Sequence, residues 1–145
     1  MLSTILMKVE KTLTSKAIIY YSLTGNTKGI ISKINTNEYD VYNLNDNEFI
    51  NLDQYETILI GTSTWGDGIP PKPLLNMKEQ LFKLHNKKIG LFGSGNSHYQ
   101  YYCGALDLLE ELFKARNKII FKYKFEGYPT DRAINEFKKI LETEV

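Results

Sequence analysis

Three short polar segments of this 145-residue chain carry the side chains and the main-chain freedom that ligand chemistry needs. They are Ser22-Leu23-Thr24-Gly25-Asn26-Thr27, Thr62-Ser63-Thr64-Trp65-Gly66-Asp67-Gly68 and Gly93-Ser94-Gly95-Asn96-Ser97-His98-Tyr99. The first supplies hydroxyls, an amide and a glycine, the components of a phosphate cradle. It lies between a strand and a helix, where free N–H groups and the helix dipole favour an anion. Gly25 lets the chain turn there without a Cβ clash. No Lys or Arg stands inside the segment, and Lys28 just after it is expected along the helix surface, so the anion would be held by neutral donors. The Walker spacing fails, because no glycine stands five residues before Gly25, and the GxGxxG pattern fails too. Both failures count against ATP and NAD. An ordinary Ser/Thr-capped helix start has the same composition, so the first segment by itself leaves both readings open.

The second and third segments supply aromatic rings and flexible backbone, as a flat heterocycle requires. Trp65 sits between Thr64 and Gly66 in a loop, where something must cover its ring. A core or interface anchor is one reading. Stacking on a heterocycle is the other, and stacking of this kind is worth ~1–3 kcal/mol per base. Gly66 and Gly68 permit a peptide flip that could turn a carbonyl toward a protonated ring nitrogen, with the charge of Asp67 close by. Tyr99 is placed to cover the opposite ring face. Backbone groups between Asn96 and Cys103 could meet the pyrimidine edge of a flavin. Cys103 has no base beside it in sequence and reads as a small packing residue with a useful N–H. His98 reads as a solvated loop histidine, and Tyr101 and Tyr102 as packing or surface residues. A phosphate cradle together with two rings makes the three segments one flavin site.

Such a site needs elements that bring the three loops to one edge. Ala17–Tyr21, Thr57–Gly61 and Lys88–Phe92 are apolar runs of strand length without alternation, the pattern of strands buried on both faces of a parallel sheet. Tyr39–Leu44 alternates and predicts an edge strand, and Ile119–Phe125, with interleaved lysines, predicts another strand. Helices are expected over Thr27–Ile34, over Leu74–Leu84 after Pro70, Pro71 and Pro73, and over Gly104–Lys114. On the last of these, Leu108, Leu109, Leu112 and Phe113 are expected to line the buried face, with Glu110 and Glu111 facing out. Thr130 or Asp131 is expected to cap a final helix carrying Ala133, Ile134, Phe137, Ile140 and Leu141. The polar stretch Asn45–Asp53 predicts a crossover with little helix. Strands alternating with helices give an α/β doubly wound fold. Five strands suit the order 2-1-3-4-5, whose ligand crevice lies at the strand carboxyl ends.

Composition bounds the remaining classes. Hydrophobic content of 42% against 24% charged predicts one globular domain with a real core. The domain is expected over 17–145, after an N-terminal extension of uncertain order over 1–16; Met7 is an alternative start. The formal net charge of +1 gives no mandate for nucleic acid or an anionic membrane. Cys103 is the single cysteine, and His85 and His98 lack metal-ligand spacing, so neither a disulfide nor a metal is expected. No apolar run is long enough to span a bilayer, and a cytoplasmic protein is expected.

Over about Ala17–Leu141 the chain resembles a flavodoxin of the short-chain kind. The resemblance rests on Ser22–Thr27, Gly61–Gly68 and Gly90–Leu109. It implies a three-layer flavodoxin-like fold, non-covalent FMN and low-potential single-electron transfer between redox proteins, without substrate turnover by the chain itself. It places Ser22, Thr24, Asn26 and Thr27 on the phosphate, with Leu23 and Gly25 in the same loop. Trp65 and Tyr99 flank the ring, and the Gly66–Asp67 peptide responds to flavin N5. Ser63, Thr64, Gly68, Ser94, Gly95 and Tyr102 join the cofactor contacts, and Asn96 and Cys103 meet the pyrimidine edge through their backbone. The implied partners are a flavodoxin or ferredoxin reductase as donor and a reductase or radical enzyme as acceptor, served by a monomer. Family members usually carry Asp in place of Asn96 and are usually markedly acidic. Less negative surroundings here imply a less negative semiquinone/hydroquinone couple.

Two flavin-dependent alternatives share the architecture. A flavodoxin-like activator of class Ib ribonucleotide reductase has a third loop like Ser94-Gly95-Asn96, although the Ser-Thr-Trp-Gly-Asp-Gly loop favours the carrier. An FMN-dependent quinone reductase would turn over NAD(P)H and is usually longer. A phosphoryl-accepting receiver would need acidic residues where this chain has Ser22, Thr24 and Thr62.

Overall fold

In the β-branched runs, successive side chains point to opposite faces of a sheet, and both faces are apolar, so the sheet must be covered on both sides. The computed structural model describes residues 15–22, 25–46, 50–63, 71–95 and 104–145. Five parallel strands run β1 (Lys16–Tyr20), β2 (Asp40–Asn43), β3 (Thr57–Ser63), β4 (Lys88–Gly95) and β5 (Lys118–Glu126), in the spatial order β2-β1-β3-β4-β5. The helices are α1 (Asn26–Ile31), α2 (Lys72–Leu75), α3 (Lys78–Lys83), α4 (Gly104–Phe113) and α5 (Asp131–Glu144). This is the expected α/β architecture and strand order.

The side-chain alternation of each central strand separates two cores. Ala17, Ile19, Ile58, Ile60, Ile89 and Leu91 face a layer that includes Leu74, Leu81, Leu106, Leu109 and Phe113 of α2, α3 and α4. Ile18, Tyr20, Leu59 and Phe92 face the other layer, with Ile30 and Ile31 of α1 and Ile134 and Phe137 of α5. In this second core the Phe92 and Phe137 rings lie 4.9 Å apart between centroids. Burying such side chains on both faces contributes roughly 1.5–3 kcal/mol each, which is what fixes the three layers.

Several local expectations are corrected. The helix expected over Leu74–Leu84 begins earlier, at Lys72, and breaks at Asn76–Met77, where the Met77 N–H bonds to the Leu74 carbonyl in a tightened turn. The first helix ends at Ile31, three residues before the expected Ile34. On α4 the buried stripe is Ala105, Leu106, Leu109 and Phe113, while Leu108 is 51% exposed. At 3.6 residues per turn Leu108 lies roughly 115° around the helix from the centre of that stripe. The strands β3, β4 and β5 extend past the expected ends, to Ser63, Gly95 and Glu126. Thr130 is the cap of α5, its hydroxyl accepting from Ala133 N at 3.1 Å. The described parts of 45–53 contain no helix. Residues 1–14, most of the expected N-terminal extension, lie outside the described residues, and β1 already begins at Lys16.

Candidate functional site at the strand carboxyl ends

The register of the three central strands places the polar segments side by side. Tyr20 is opposite Gly61, and Ser63 is opposite Ser94. The Tyr21 N–H bonds to the Gly61 carbonyl at 3.0 Å, which carries β1 to its end beside Thr62 and leaves Ser22 at the edge of the sheet. The described ends of all three predicted loops therefore meet at one rim.

Ser22 and α1 form the first wall. Gly25 has φ +87°, in the left-handed region, and a Cβ there would meet nothing within 4 Å. Conformation, not crowding, requires glycine, and the space beside it is open. Ser22 Oγ accepts from the Lys28 N–H at 3.1 Å. That bond uses an acceptor lone pair and leaves the hydroxyl proton free to be donated to an anion. Lys28 itself is exposed, in accord with the expectation that it lies along the helix surface. Asn26 opens the helix, partly exposed on the same rim.

The Thr27 side chain turns inward. Its hydroxyl, expected on a phosphate, is fully buried and donates to the Thr62 carbonyl at 3.2 Å, with Ser94 Oγ 3.5 Å away. Thr27 thus ties α1 to β3 and β4. Ser94, 3% exposed, lies in the floor under the rim with it. Ser63 Oγ, at the last residue of β3, is buried without a hydrogen-bond partner among the described residues. A buried orphan hydroxyl is costly, and a ligand acceptor at this rim would satisfy it. Gly95 closes β4, and its carbonyl accepts from Gly127 N at 3.2 Å.

Two members of these segments had no individual role in the sequence reading. The Thr62 carbonyl anchors Thr27, and Gly93 makes that possible: a Cβ on Gly93 would stand 2.2 Å from the same carbonyl oxygen. A glycine inside an apolar strand is the signal for such a close approach. Leu23, Thr24, Thr64, Trp65, Gly66, Asp67, Gly68, Asn96, Tyr99, Tyr102 and Cys103 lie outside the described residues. The described residues present neutral hydroxyls, a left-handed glycine with open space and an unsatisfied buried oxygen. They fit a phosphate-bearing ligand held without formal positive charge.

Comparison with known proteins points to one family. A family model described as Flavodoxin matches residues 18–137. A flavodoxin of Maridesulfovibrio salexigens is 33% identical over 129 residues, covering 77% of this chain and 86% of its own. A probable flavodoxin 2 of Bacillus subtilis is 28% identical over 125 residues, covering 77% and 82%. Among solved structures, oxidised Flavodoxin 1 from Bacillus cereus superposes with a TM-score of 0.75 at 28% identity, over 90% of this chain and 98% of that one.

Proposed function

The chain belongs to the flavodoxin family and is an FMN-binding electron carrier, and we propose that the strand carboxyl rim holds the FMN and passes single electrons between docked redox proteins. The observation that carries this assignment is the convergence of Ser22, Thr27, Ser63 and Ser94 on one edge, with Thr27 bridging β3 and β4. When bound, FMN supplies the reversible one-electron chemistry. The chain's residues bind and orient it. Ser22 Oγ donates its free proton to the phosphate, and the N–H groups of Asn26 and Thr27, at the start of a helix where such donors lack helical partners, do the same. Leu23, Thr24 and Gly25 complete that loop. In this proposal Ser63, Thr64, Gly68 and Gly95 would border the ring, Trp65 and Tyr99 would cover its faces, and the Gly66–Asp67 peptide would respond to N5. Asn96, Tyr102 and Cys103 would border the pyrimidine edge.

The partners we propose are a flavodoxin or ferredoxin reductase as donor and a reductase or radical enzyme as acceptor, met by a cytoplasmic monomer. Among the described residues no helix is long and apolar enough to cross a membrane. The test is stepwise anaerobic reduction of the FMN-loaded protein, followed by absorbance. Accumulation of a one-electron-reduced flavin is expected. Direct passage to the two-electron-reduced form overturns the carrier reading in favour of a two-electron enzyme, and failure to bind FMN overturns the site.

A further inference from the structure

The end of the sheet opposite the flavin rim carries a second constructed feature. The turns before β4 and before β5 are stitched together there. Asn86 N bonds to the Arg116 carbonyl at 2.8 Å and Lys118 N to the Lys87 carbonyl at 2.9 Å. Asn117 Oδ1 accepts from Lys87 N at 3.0 Å, and Asn117 Nδ2 donates to the Leu84 carbonyl at 3.0 Å. Asn86 holds φ 58°, a left-handed conformation rarely adopted by residues other than glycine. Between the two turns lies an open groove of about 440 Å³, lined by Lys87, Lys88, Arg116 and Lys118 and by no carboxylate.

None of these four cations is in an ion pair with another described residue. Lys87 Nζ bonds to the main-chain carbonyl of Asp53 at 2.6 Å, not to its carboxylate, and the Glu56 carbonyl likewise accepts from the Lys88 main chain. The Arg116 guanidinium, which lines the groove, lies 4.9 Å from the ring centroid of Phe82, a residue 53% exposed. Lys83 and Lys114 flank the turns, and Lys114 is paired with Glu111 at 2.7 Å. Six of the eighteen basic residues thus gather at these two turns, where Glu111 pairs with one of them.

We propose that this groove is a docking surface for a short acidic segment of a partner protein bearing an apolar side chain. Four unpaired cations with three-dimensional support select carboxylates, and the exposed Phe82 ring offers the apolar contact. The groove is short, bounded by two turns and about 440 Å³ in volume, so it matches a short segment and not a long nucleic acid or a flat bilayer. The groove and the flavin rim stand at opposite ends of the eight-residue β4, about 23 Å apart at the rise of an extended strand. A segment held here leaves the electron-transfer face open, so the carrier can be retained beside a client at raised effective concentration while it exchanges electrons.

The experiment uses the full FMN-loaded chain and a synthetic peptide of glutamates interspersed with leucine and phenylalanine. Its control is the same peptide with glutamine for every glutamate. Amide shifts on titration are expected in residues 83–88 and 114–118, and the K88E/K118E variant is expected to bind at least tenfold more weakly with an unchanged flavin spectrum. Shifts confined to the flavin rim, undiminished binding by the variant, or equal binding of the glutamine peptide overturn the proposal. So does tighter binding of phosphatidylglycerol vesicles or of single-stranded RNA than of the acidic peptide at the same ionic strength.

Discussion

Two hydroxyls a few residues apart have different work at the flavin rim, and substitution separates them. Thr27→Val keeps the shape of the side chain but removes the hydroxyl that donates to the buried Thr62 carbonyl. A loss of ~1–3 kcal/mol in stability is expected, with FMN affinity changed less than about threefold. Ser22→Ala removes both the acceptor for Lys28 N and a proton aimed outward. About 0.5–2 kcal/mol of stability and roughly tenfold in FMN affinity are expected to go together. Urea denaturation and fluorescence titration of FMN distinguish the two. If Val at position 27 weakens FMN as much as Ala at 22, the inward assignment of Thr27 fails. A third residue couples structure to pH. Tyr55 is 1% exposed, its hydroxyl donating to Asp40 at 2.7 Å and lying 2.5 Å from the Tyr42 hydroxyl. Burial, then the bonds to Asp40 and Tyr42, holds this phenol far above its ordinary 10.0, and burial raises Tyr20 and Tyr39 in the same direction. The folded state keeps protons that the unfolded chain releases, so the phenols' contribution is intact below pH ~10 and declines as pH rises beyond it. Stability measured against pH is expected to fall above 10, and Tyr55→Phe is expected to make that fall shallower.

At the scale of elements, the connections matter as much as the strands. Asn117 carries three hydrogen bonds, to Lys87 N, the Leu84 carbonyl and the Phe113 carbonyl, and so fastens the end of α4 to the turn before β4. Asn117→Ala is expected to cost about 1–3 kcal/mol, measurable as a lower denaturation midpoint with the FMN spectrum intact, because the flavin rim is at the other end of the sheet. The same substitution loosens the cationic groove. Across α4 and β5, Asp107 meets Lys122 at 2.8 Å and Lys124 at 3.1 Å. Burial opposes ionisation of Asp107, yet the two lysines outweigh it and hold the carboxyl below its usual range. Any stability from this half-exposed group is present above the ordinary carboxylate range and is lost as pH falls through it; for an exposed pair it is small. Lysines along the outer strand β5 also discourage pairing with another sheet edge.

For the whole molecule, charge is the quantity that separates this chain from an acidic carrier. With a formal net charge of +1, and Asn96 in a loop where the family usually has Asp, the two-electron-reduced flavin would be less opposed by its surroundings. The second one-electron couple is expected to be less negative than in acidic flavodoxins, each tenfold change in relative binding of two redox states amounting to ~59 mV. Potentiometric titration checks this, and a couple as low as theirs refutes it. Steering toward basic partners is correspondingly weak, so second-order electron-transfer rates are expected to vary little with ionic strength.

The sequence by itself determined the strand runs, their order and the position of the polar loops. Buried parallel strands must be apolar on both faces, and loops that follow them must stand at their carboxyl ends. A cap at Thr130 or Asp131 was legible from residue type, and the structure assigns it to Thr130. Tertiary structure decided what periodicity could not. Whether Leu106 or Leu108 is covered depends on how α4 is rotated on the sheet, and whether the Thr27 hydroxyl faces a ligand or the Thr62 carbonyl depends on how close α1 comes to β3. The cationic groove depends on two turns distant in the chain being bonded together, and only the folded sheet brings the starts of β4 and β5 side by side.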